Sequence, residues 1–387
     1  MSDCILPGDV MVSILTRLPV KSLARFKSVS WSWRDLISSP QFIKLHRDQL
    51  TNDDPRNLSF VLHRRESAEH TLEHNLSLIY FNAAEKSSPF HFVRFPKILN
   101  FLMLVGSIHG LVCLSCRKSR RIVLGNPLLN RWKLIRPSRR NFGGKPDFIS
   151  VGFGYDPVDD DYKVIRIANF EKTSEAKAEV YSTNLDAWKE VKINFSFTIG
   201  DNFNDLILNG IPYWCGDIYV TEDEMLDGDE GSSDLIWFDV HNEVFKSIPW
   251  PTTVGDHGKF VEWKAALAML VPSYREELED YVDVLVYDEK EASWKKKCRY
   301  GSMGLKHHYY MINCSRDGVI FALTEEGKLI IHDPVADEFK KFSFSNGDIS
   351  LENVCDYKES LVCLEGMVPV QEHFAFGYSF MEWLDFL

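Results

Sequence analysis

Residues 180–189 read Val180-Tyr181-Ser182-Thr183-Asn184-Leu185-Asp186-Ala187-Trp188-Lys189. A β-branched and aromatic run stops at Ser182, a polar turn follows, and a large aromatic opens the next run six residues after the serine. This is the pattern of a strand, a reversal and a partner strand. The lysine after the tryptophan falls on the opposite face of its strand, where solvent suits it. The unit recurs at the same spacing. Val123-Leu124-Gly125-Asn126 precedes Trp132-Lys133, Asp239 precedes Phe245-Lys246, Asp288 precedes Trp294-Lys295, and Asp333 precedes Phe339-Lys340. Upstream lies a second recurring element, a glycine turn opening into an apolar strand: Gly110 before Leu111-Val112-Cys113-Leu114, Gly210 before Ile211-Pro212-Tyr213-Trp214, and Gly318 before Val319-Ile320-Phe321. Together the two elements give four short antiparallel strands per unit.

The aromatic landmarks at 132, 188, 245, 294 and 339 lie 56, 57, 49 and 45 residues apart. Such periods fit propeller blades of the kelch type, and a blade cannot bury both faces alone, so the copies must stack around an axis. Five units are visible. Leu58 to His63, Leu76 to Phe81, Leu361 to Leu364 and Phe374 to Phe380 supply a sixth, shared between the two ends of the region. About six blades are expected, with an irregular β-sandwich as the alternative.

The first fifty residues follow a helical period instead. From Gly8 to Leu18, Val10, Met11, Ile14, Leu15 and Leu18 recur at three- and four-residue spacing along one broad helix face. Pro19 cannot continue that helix. A second begins near Ser22 with Leu23, Phe26 and Val29 on one side, Ser30 caps a third carrying Trp33, Leu36 and Ile37, and Pro40 ends it. Three or four such helices cannot bury all these side chains among themselves, since chains of about 40–50 residues are short of core. Some need another surface. Most of Val10, Phe26, Trp33 and Ile37 are assigned to the core, and Leu6, Pro7, Leu15, Pro19 and Leu23 to partner contact, with Ile14 and Phe26 bordering that edge.

Leu6-Pro7, Ile14-Leu15, Leu18-Pro19-Val20-Lys21-Ser22-Leu23, Arg25-Phe26-Lys27, Val29-Ser30, Trp33, Leu36-Ile37 and Pro40-Gln41-Phe42 resemble an F-box over about forty-five residues. The later region resembles the plant F-box-associated domain of F-box/kelch-repeat and S-locus F-box-like proteins. The matching residues include Gly106-Ser107, Gly110-Leu111-Val112-Cys113, Asn126-Pro127, Gly152-Phe153-Gly154-Tyr155-Asp156-Pro157, Asp161-Tyr162-Lys163-Val164, Val180-Tyr181-Ser182, Asn209-Gly210 with Trp214, Phe238-Asp239 and Asp333-Pro334. His109 stands where that family usually has Asn, and Trp132 where a smaller aromatic is common. The fold class expected is multidomain α plus β: a helical F-box over 1–48, a linker with the first propeller strands over 49–100, and an antiparallel β-propeller over 101–387.

The resemblance implies docking of the helical edge on a Skp-type adaptor, and through it on a cullin-RING ligase of the SCF type, while the propeller binds a target protein for ubiquitination and degradation. It implies a non-catalytic subunit. The alternative is a kelch-type propeller that binds a ligand, or acts as a metalloenzyme, independently of any ubiquitin ligase.

Composition fits a folded chain: of 387 residues, 45% are hydrophobic and 13% aromatic, enough for a sizeable core. The longest apolar stretch, Ile98 to Leu114, is broken by Asn100, Gly106, Ser107, His109 and Gly110, so no membrane span is expected. Eight cysteines are scattered through apolar runs, and the single CxxC at Cys113 and Cys116 has no second pair at zinc spacing, so they read as buried small hydrophobes. A soluble protein of the cytoplasm, with the nucleus as a second compartment, is expected.

Charge is unevenly spread within a net −12. Ten basic and no acidic residues lie from Arg117 to Lys145, and eight acidic and no basic residues from Asp217 to Asp234. The basic stretch lacks the aromatic interleaving of a single-strand platform, which argues against nucleic acid. The acidic stretch interrupts a blade and must protrude as a loop. Glu222, Asp223, Glu224, Asp227, Asp229 and Glu230 are its candidate target-binding residues, steering a basic protein onto the propeller; a solvated loop serving solubility is the alternative. Asp156, Asp159, Asp160 and Asp161 crowd one turn without EF-hand spacing and are expected to cap it and pair with Lys163. His307 and His308, adjacent on a strand, point to opposite faces. No catalytic residue, metal ligand or cofactor is assigned.

Overall fold

The computed structural model describes residues 7–49, 57–68, 71–82, 91–94, 102–115, 121–136, 138, 146, 148–170, 175–199, 206–219, 232–251, 258–272, 281–301, 309–315, 318–324, 328–333, 338–343 and 349–369. Prolines and a serine set the helix ends. Pro7 and Pro19 immediately precede α1 (Gly8–Leu15) and α2 (Val20–Phe26). The Ser30 hydroxyl accepts the Trp33 N–H at 3.2 Å and caps α3 (Trp31–Ser38). Pro40 does end the third helix, but it also opens α4 (Pro40–Gln49), where a first-turn residue needs no N–H donor.

Six antiparallel sheets follow. The first contains β1 (Asn57–Ala68), β2 (Thr71–Asn82) and β3 (His91–Arg94). The second contains β4 (Met103–Ile108), β5 (Leu111–Ser115), β6 (Ile122–Asn126) and β7 (Arg131–Ile135). The third contains β8 (Phe148–Asp156), β9 (Asp161–Phe170), β10 (Glu175–Ser182) and β11 (Ala187–Val191). In the fourth, β12 (Ser196–Ile199) and β13 (Leu206–Leu208) both pair β14 (Ile211–Tyr219), followed by β15 (Ser232–Asp239) and β16 (Val244–Pro249). The fifth is β17 (Lys259–Trp263), β18 (Ala266–Pro272), β19 (Val282–Asp288) and β20 (Ser293–Tyr300). The sixth is β21 (Tyr309–Cys314), β22 (Ile320–Thr324), β23 (Lys328–Asp333) and β24 (Glu338–Ser343). Then β25 (Ile349–Asp356) pairs β1 and closes the ring, and β26 (Val368–Pro369) adds to β7. The strands β4, β8, β13, β17, β21 and β25 touch in sequence around the axis. The fold is a six-bladed propeller behind a four-helix module.

All five landmark hairpins are present: Gly125 faces Trp132, Tyr181 faces Trp188, Phe238 faces Phe245, Tyr287 faces Trp294 and His332 faces Phe339. Turn chemistry explains their likeness. The side-chain oxygens of Asn126, Ser182, Asp239 and Asp288 accept N–H groups two or three residues on, and Asn130, Asp186, Glu243 and Ala292, each four residues after its cap, hold φ between 47° and 55°. Asp156 and Asp160 repeat this arrangement in the β8–β9 turn. The inner turns His109-Gly110 and Asn209-Gly210 have positive φ at both residues, as two-residue hairpin loops require. A Cβ at Gly110 would stand 2.5 Å from Ser360 Oγ and 2.7 Å from Lys358 O, so the strand end can lie there only as glycine. The equivalent β17–β18 turn uses Lys264 and Ala265, with no glycine.

Two expectations are corrected. Ring closure comes from β25, at 349–356, and not from Leu361 to Leu364, which is not a strand; its buried Leu361 and Val362 pack beneath the ring instead. Phe374 to Phe380 lies outside the described residues. The landmark lysines are also not simply solvated. Lys246 and Lys295 pair with their own turn aspartates, Asp239 at 2.9 Å and Asp288 at 2.8 Å, whereas Lys133 and Lys189 reach the next blade's Asp186 at 2.8 Å and Glu243 at 2.5 Å. Where the following turn offers Ala292, Lys246 has no acidic neighbour at that place. Such exposed pairs contribute roughly 0–1 kcal/mol each. The indoles stitch blades more firmly: Trp188 Nε1 donates to Arg136 O at 2.7 Å and Trp294 Nε1 to Pro249 O at 2.9 Å.

Candidate functional site

The helical module sorts its apolar residues into two sets. Leu15 at 2% exposure, Val20, Leu23 at 0%, Ile37 and Phe42 form its interior, with Leu36 and Trp33 half-buried against them. Phe26 is half-buried and edge-on to Trp33, with ring centres 5.3 Å apart. His46 is buried, its Nε2 donating to Leu18 O at 3.0 Å. Facing solvent are Val10 at 40%, Ile14 at 47%, Val29 at 64% and Trp31 at 76%. The Arg34 guanidinium lies 4.8 Å from the Trp31 ring centre.

This changes the expected contact residues. Leu15 and Leu23 are corrected from partner contact to core, because the helices turn these side chains inward and cover them. Phe26 is turned largely toward Trp33. Pro7, Ile14 and Pro19 are exposed, and Leu6 lies outside the described residues. Val10, expected in the core, faces out, as do Val29 and Trp31, which were not among the expected contact residues. The signal for Trp31 was present: two tryptophans two positions apart on a helix point about 200° apart, so only one of Trp31 and Trp33 can pack inward.

The module is not suspended from a tether. Leu128 and Leu129, in the β6–β7 turn, and Leu361 pack into its core, while Ile43 packs against the cluster between the second and third blades. Arg47 Nη1 pairs with Asp160 Oδ1 at 2.8 Å, and its guanidinium lies 5.1 Å from the Tyr155 ring centre. Burial opposes ionisation of Asp160, but hydrogen bonds from Tyr155 and Arg47 hold its carboxyl below the usual carboxylate range. Because strand direction alternates outward from the axis, turns joining first to second and third to fourth strands leave one face, and second-to-third connections leave the other. The contacts at 128, 129 and 160 all belong to the first face. The connection 220–231, which carries Glu222, Asp223, Glu224, Asp227, Asp229 and Glu230, joins second to third strands in the fourth blade. Those residues lie outside the described residues, and the strand ends flanking them, at Tyr219 and Ser232, sit on the face away from the helices.

His109 marks the seam. Its Nδ1 lies 3.2 Å from Tyr162 Oη, and burial, then the nearby Arg47 charge, push its pKa down to about 4, against weaker opposing pulls from Asp48 and Asp160 and with Lys358 adding to the depression. The unfolded chain therefore binds more protons between about pH 4 and 6.5, so stability rises with pH across that window and is lost as pH falls through it. The expected difference between pH 7 and pH 5 is at most about 2 kcal/mol, and about 1 kcal/mol after allowance for partial exposure. His109→Asn keeps a residue suited to φ 49° and removes this part of the slope, as denaturant melts at the two pH values would measure.

The aspartate-rich turn is internally satisfied. Asp156 caps it and holds Lys163 Nζ at 3.2 Å and His241 Nδ1 at 3.1 Å; Asp161 accepts from Ser182, Thr183 and the Asn184 N–H. Asp156, Asp159 and His241 could converge on a cation, but the Lys163 ammonium, also 3.1 Å from Glu243, already supplies the positive charge. Cys113 is buried and its thiol is pushed well up by desolvation, as suits a core residue; Cys116, His307 and His308 lie outside the described residues. Among the described residues no helix is long and apolar enough to cross a membrane.

Comparison with known proteins matches two family models to this chain: an F-box domain over residues 4–45 and an F-box associated beta propeller domain over residues 102–364. Three similar Arabidopsis thaliana proteins are F-box/kelch-repeat protein At3g23880, 27% identical over 65% of this chain and 66% of its own length, Putative F-box protein At1g33530, 27% over 77% and 63%, and F-box protein At5g18160, 28% over 68% and 63%. The chain thus spans just under two thirds of the length of these relatives.

Proposed function

Because the chain belongs to the F-box proteins in which the F-box precedes an F-box associated beta propeller domain, we propose that it is the target-recognition subunit of an SCF-type ubiquitin ligase. The observation that carries this reading is the apolar surface of the helical module. Its interior is filled by Leu15, Leu23, Ile37 and Phe42 together with Leu361 of the propeller, yet Val10, Ile14, Val29 and Trp31 still face solvent. Burying each such aliphatic side chain against a Skp-type adaptor contributes roughly 1.5–3 kcal/mol, and an exposed tryptophan is a common anchor of such interfaces.

The propeller holds the target on the face away from the helices and performs no bond chemistry. Its contribution is effective concentration, since a bound target shares the space of the ubiquitin carrier brought by the cullin. Affinity capture of the intact chain from plant tissue under proteasome inhibition, beside an Ile14→Asp/Trp31→Asp chain, tests the reading. The adaptor and cullin are expected only with the intact chain, and target proteins with both. Absence of adaptor and cullin from the intact capture overturns it.

Glu222, Asp223, Glu224, Asp227, Asp229 and Glu230 steer a basic target toward that face. Replacing the six by the corresponding amides is expected to slow target association about tenfold at low salt and to change it little at 0.5 M salt, where screening removes the field. Equal association rates at low salt would exclude the steering role.

A further inference from the structure

The strand β26 delivers the chain back to the helical module. It runs antiparallel to β7, with Val368 opposite Trp132 and Pro369 opposite Arg131. β7 itself starts at the turn whose Leu128 and Leu129 pack into the module core, so β26 heads toward that core and residue 370 leaves beside it. Arg131 also neighbours the corner between α2 and α3. Burial lowers the Lys27 pKa, with the Cys363 thiol opposing it and the Arg131 charge adding to it. Lys27 O accepts the Arg34 Nε–H at 3.2 Å, and the Arg34 guanidinium lies 4.8 Å from the Trp31 ring centre. A series of neighbours thus joins the exit at Pro369 to Lys27, Arg34 and Trp31.

Residues 370–387 lie outside the described residues, and their composition is one-sided. Six of the 18, Phe374, Phe376, Tyr378, Phe380, Trp383 and Phe386, are aromatic, a third against 13% in the whole chain. Glu372, Glu382 and Asp385 are accompanied by no lysine or arginine. The module has the opposite charge. From Val10 to Arg34 stand Arg17, Lys21, Arg25, Lys27 and Arg34 with no acidic residue, and among the described residues Arg17, Arg25 and Arg34 have no carboxylate partner. The same stretch carries the uncovered apolar side chains Val10, Ile14, Val29 and Trp31. An aromatic, acidic segment tethered beside an apolar, basic surface meets it at high effective concentration. Its length suffices, because 18 residues span about 27 Å even as a helix, against about 15 Å for the ten residues of α4. Val158 and Leu185, exposed at turn tips of the third blade, stand among Asp159, Asp160 and Asp186 and offer an acidic segment no such match.

We propose that residues 370–387 dock on the Val10, Ile14, Val29 and Trp31 surface of their own chain, rings against its apolar side chains and carboxylates against its arginines, and that a Skp-type adaptor must displace them to bind. The competition rests on the ligase reading above; the docking does not. A surface covered nine-tenths of the time weakens adaptor binding about tenfold.

Photocrosslinking of the full chain with benzoylphenylalanine in place of Trp383 tests the docking. Crosslinks within one chain to residues 10–34 are expected, and their loss in an Ile14→Asp/Trp31→Asp chain with unchanged circular dichroism. No crosslink to 10–34, crosslinks to the Val158 and Leu185 tips or to a second copy in their place, or crosslinks undiminished by the double substitution would each overturn it. Affinity for a purified plant Skp-type adaptor tests the competition. Trp383→Ala/Phe386→Ala is expected to tighten binding about tenfold, and saturating adaptor to remove the crosslinks from 10–34. Equal affinity of the altered and unaltered chains, or crosslinks that persist in the adaptor complex, would overturn the competition. Failure of the adaptor to bind either chain overturns the ligase reading instead, and the crosslinks still decide the docking.

Discussion

Replacing Ile14 and Trp31 by aspartate is expected to abolish adaptor capture, reducing affinity at least a hundredfold, while helices and blades keep their melting behaviour. Both side chains face solvent, at 47% and 76% exposure, so neither change opens a hole in the module. Losing the burial of one aliphatic and one aromatic side chain forfeits about 3–6 kcal/mol, and two buried unpaired carboxylates add a desolvation cost. A hundredfold loss needs only about 2.7 kcal/mol. The neighbouring change Leu15→Asp has a different physical meaning. At 2% exposure Leu15 sits among Val20, Leu23 and Phe42, so a carboxylate there unfolds the module, and any loss of binding would be indirect. Capture by the Ile14→Asp/Trp31→Asp chain within threefold of the unaltered chain would remove these residues from the interface. Circular dichroism of both variants separates the two outcomes.

The contrast between Ile14 and Leu15 shows where the sequence pattern stops being informative. Val10, Met11, Ile14 and Leu15 form one broad apolar face on an eight-residue helix, and spacing alone cannot say where along that face the core ends. That boundary is drawn by packing within the module and by Leu361, which is distant in sequence. The propeller was more legible because the hairpins at 126–132, 182–188, 239–245 and 288–294 each carry their own local chemistry: an Asx or Ser cap, a left-handed residue four positions later, and an aromatic two beyond that. Legibility failed where this chemistry was replaced or broken. The β17–β18 turn uses Lys264-Ala265 in place of a glycine, and β25 loses its alternation at the register shift beside Asn353, so the closing strand did not stand out. The apolar run Leu361 to Leu364 looked like that strand because burial, which strands and irregular segments share, was its only signal.

Leu361→Ala is expected to have the largest effect on stability, about 2–5 kcal/mol, and to act on the helical module although it lies near the other end of the chain. Leu361 is 1% exposed and packs with Leu15, Leu23, Ile37 and Phe42. Its backbone is held by the ring: Asn126 Nδ2 donates to Ser360 O at 2.9 Å and to Val362 O at 3.0 Å, and Ser360 Oγ donates to His109 O. The segment after β25 therefore wedges one propeller-anchored leucine into a core that some forty residues could not complete alone. Trimming it leaves a cavity in the small core of the helical module, where the loss is a large share of the total. Hydrogen exchange should then show the amides of α1 to α4 losing protection by two or more orders of magnitude, while those of β17 to β24, remote from the seam, keep theirs. Arg47→Ala, which removes a partly exposed pair to Asp160, should cost at most about 1 kcal/mol and leave that protection nearly intact. Unchanged helical protection in Leu361→Ala would mean that the module stabilises itself. Its orientation relative to the target-binding face proposed above would then rest on weaker contacts, and under the proposed ligase role a bound target would be held less firmly toward the ubiquitin carrier.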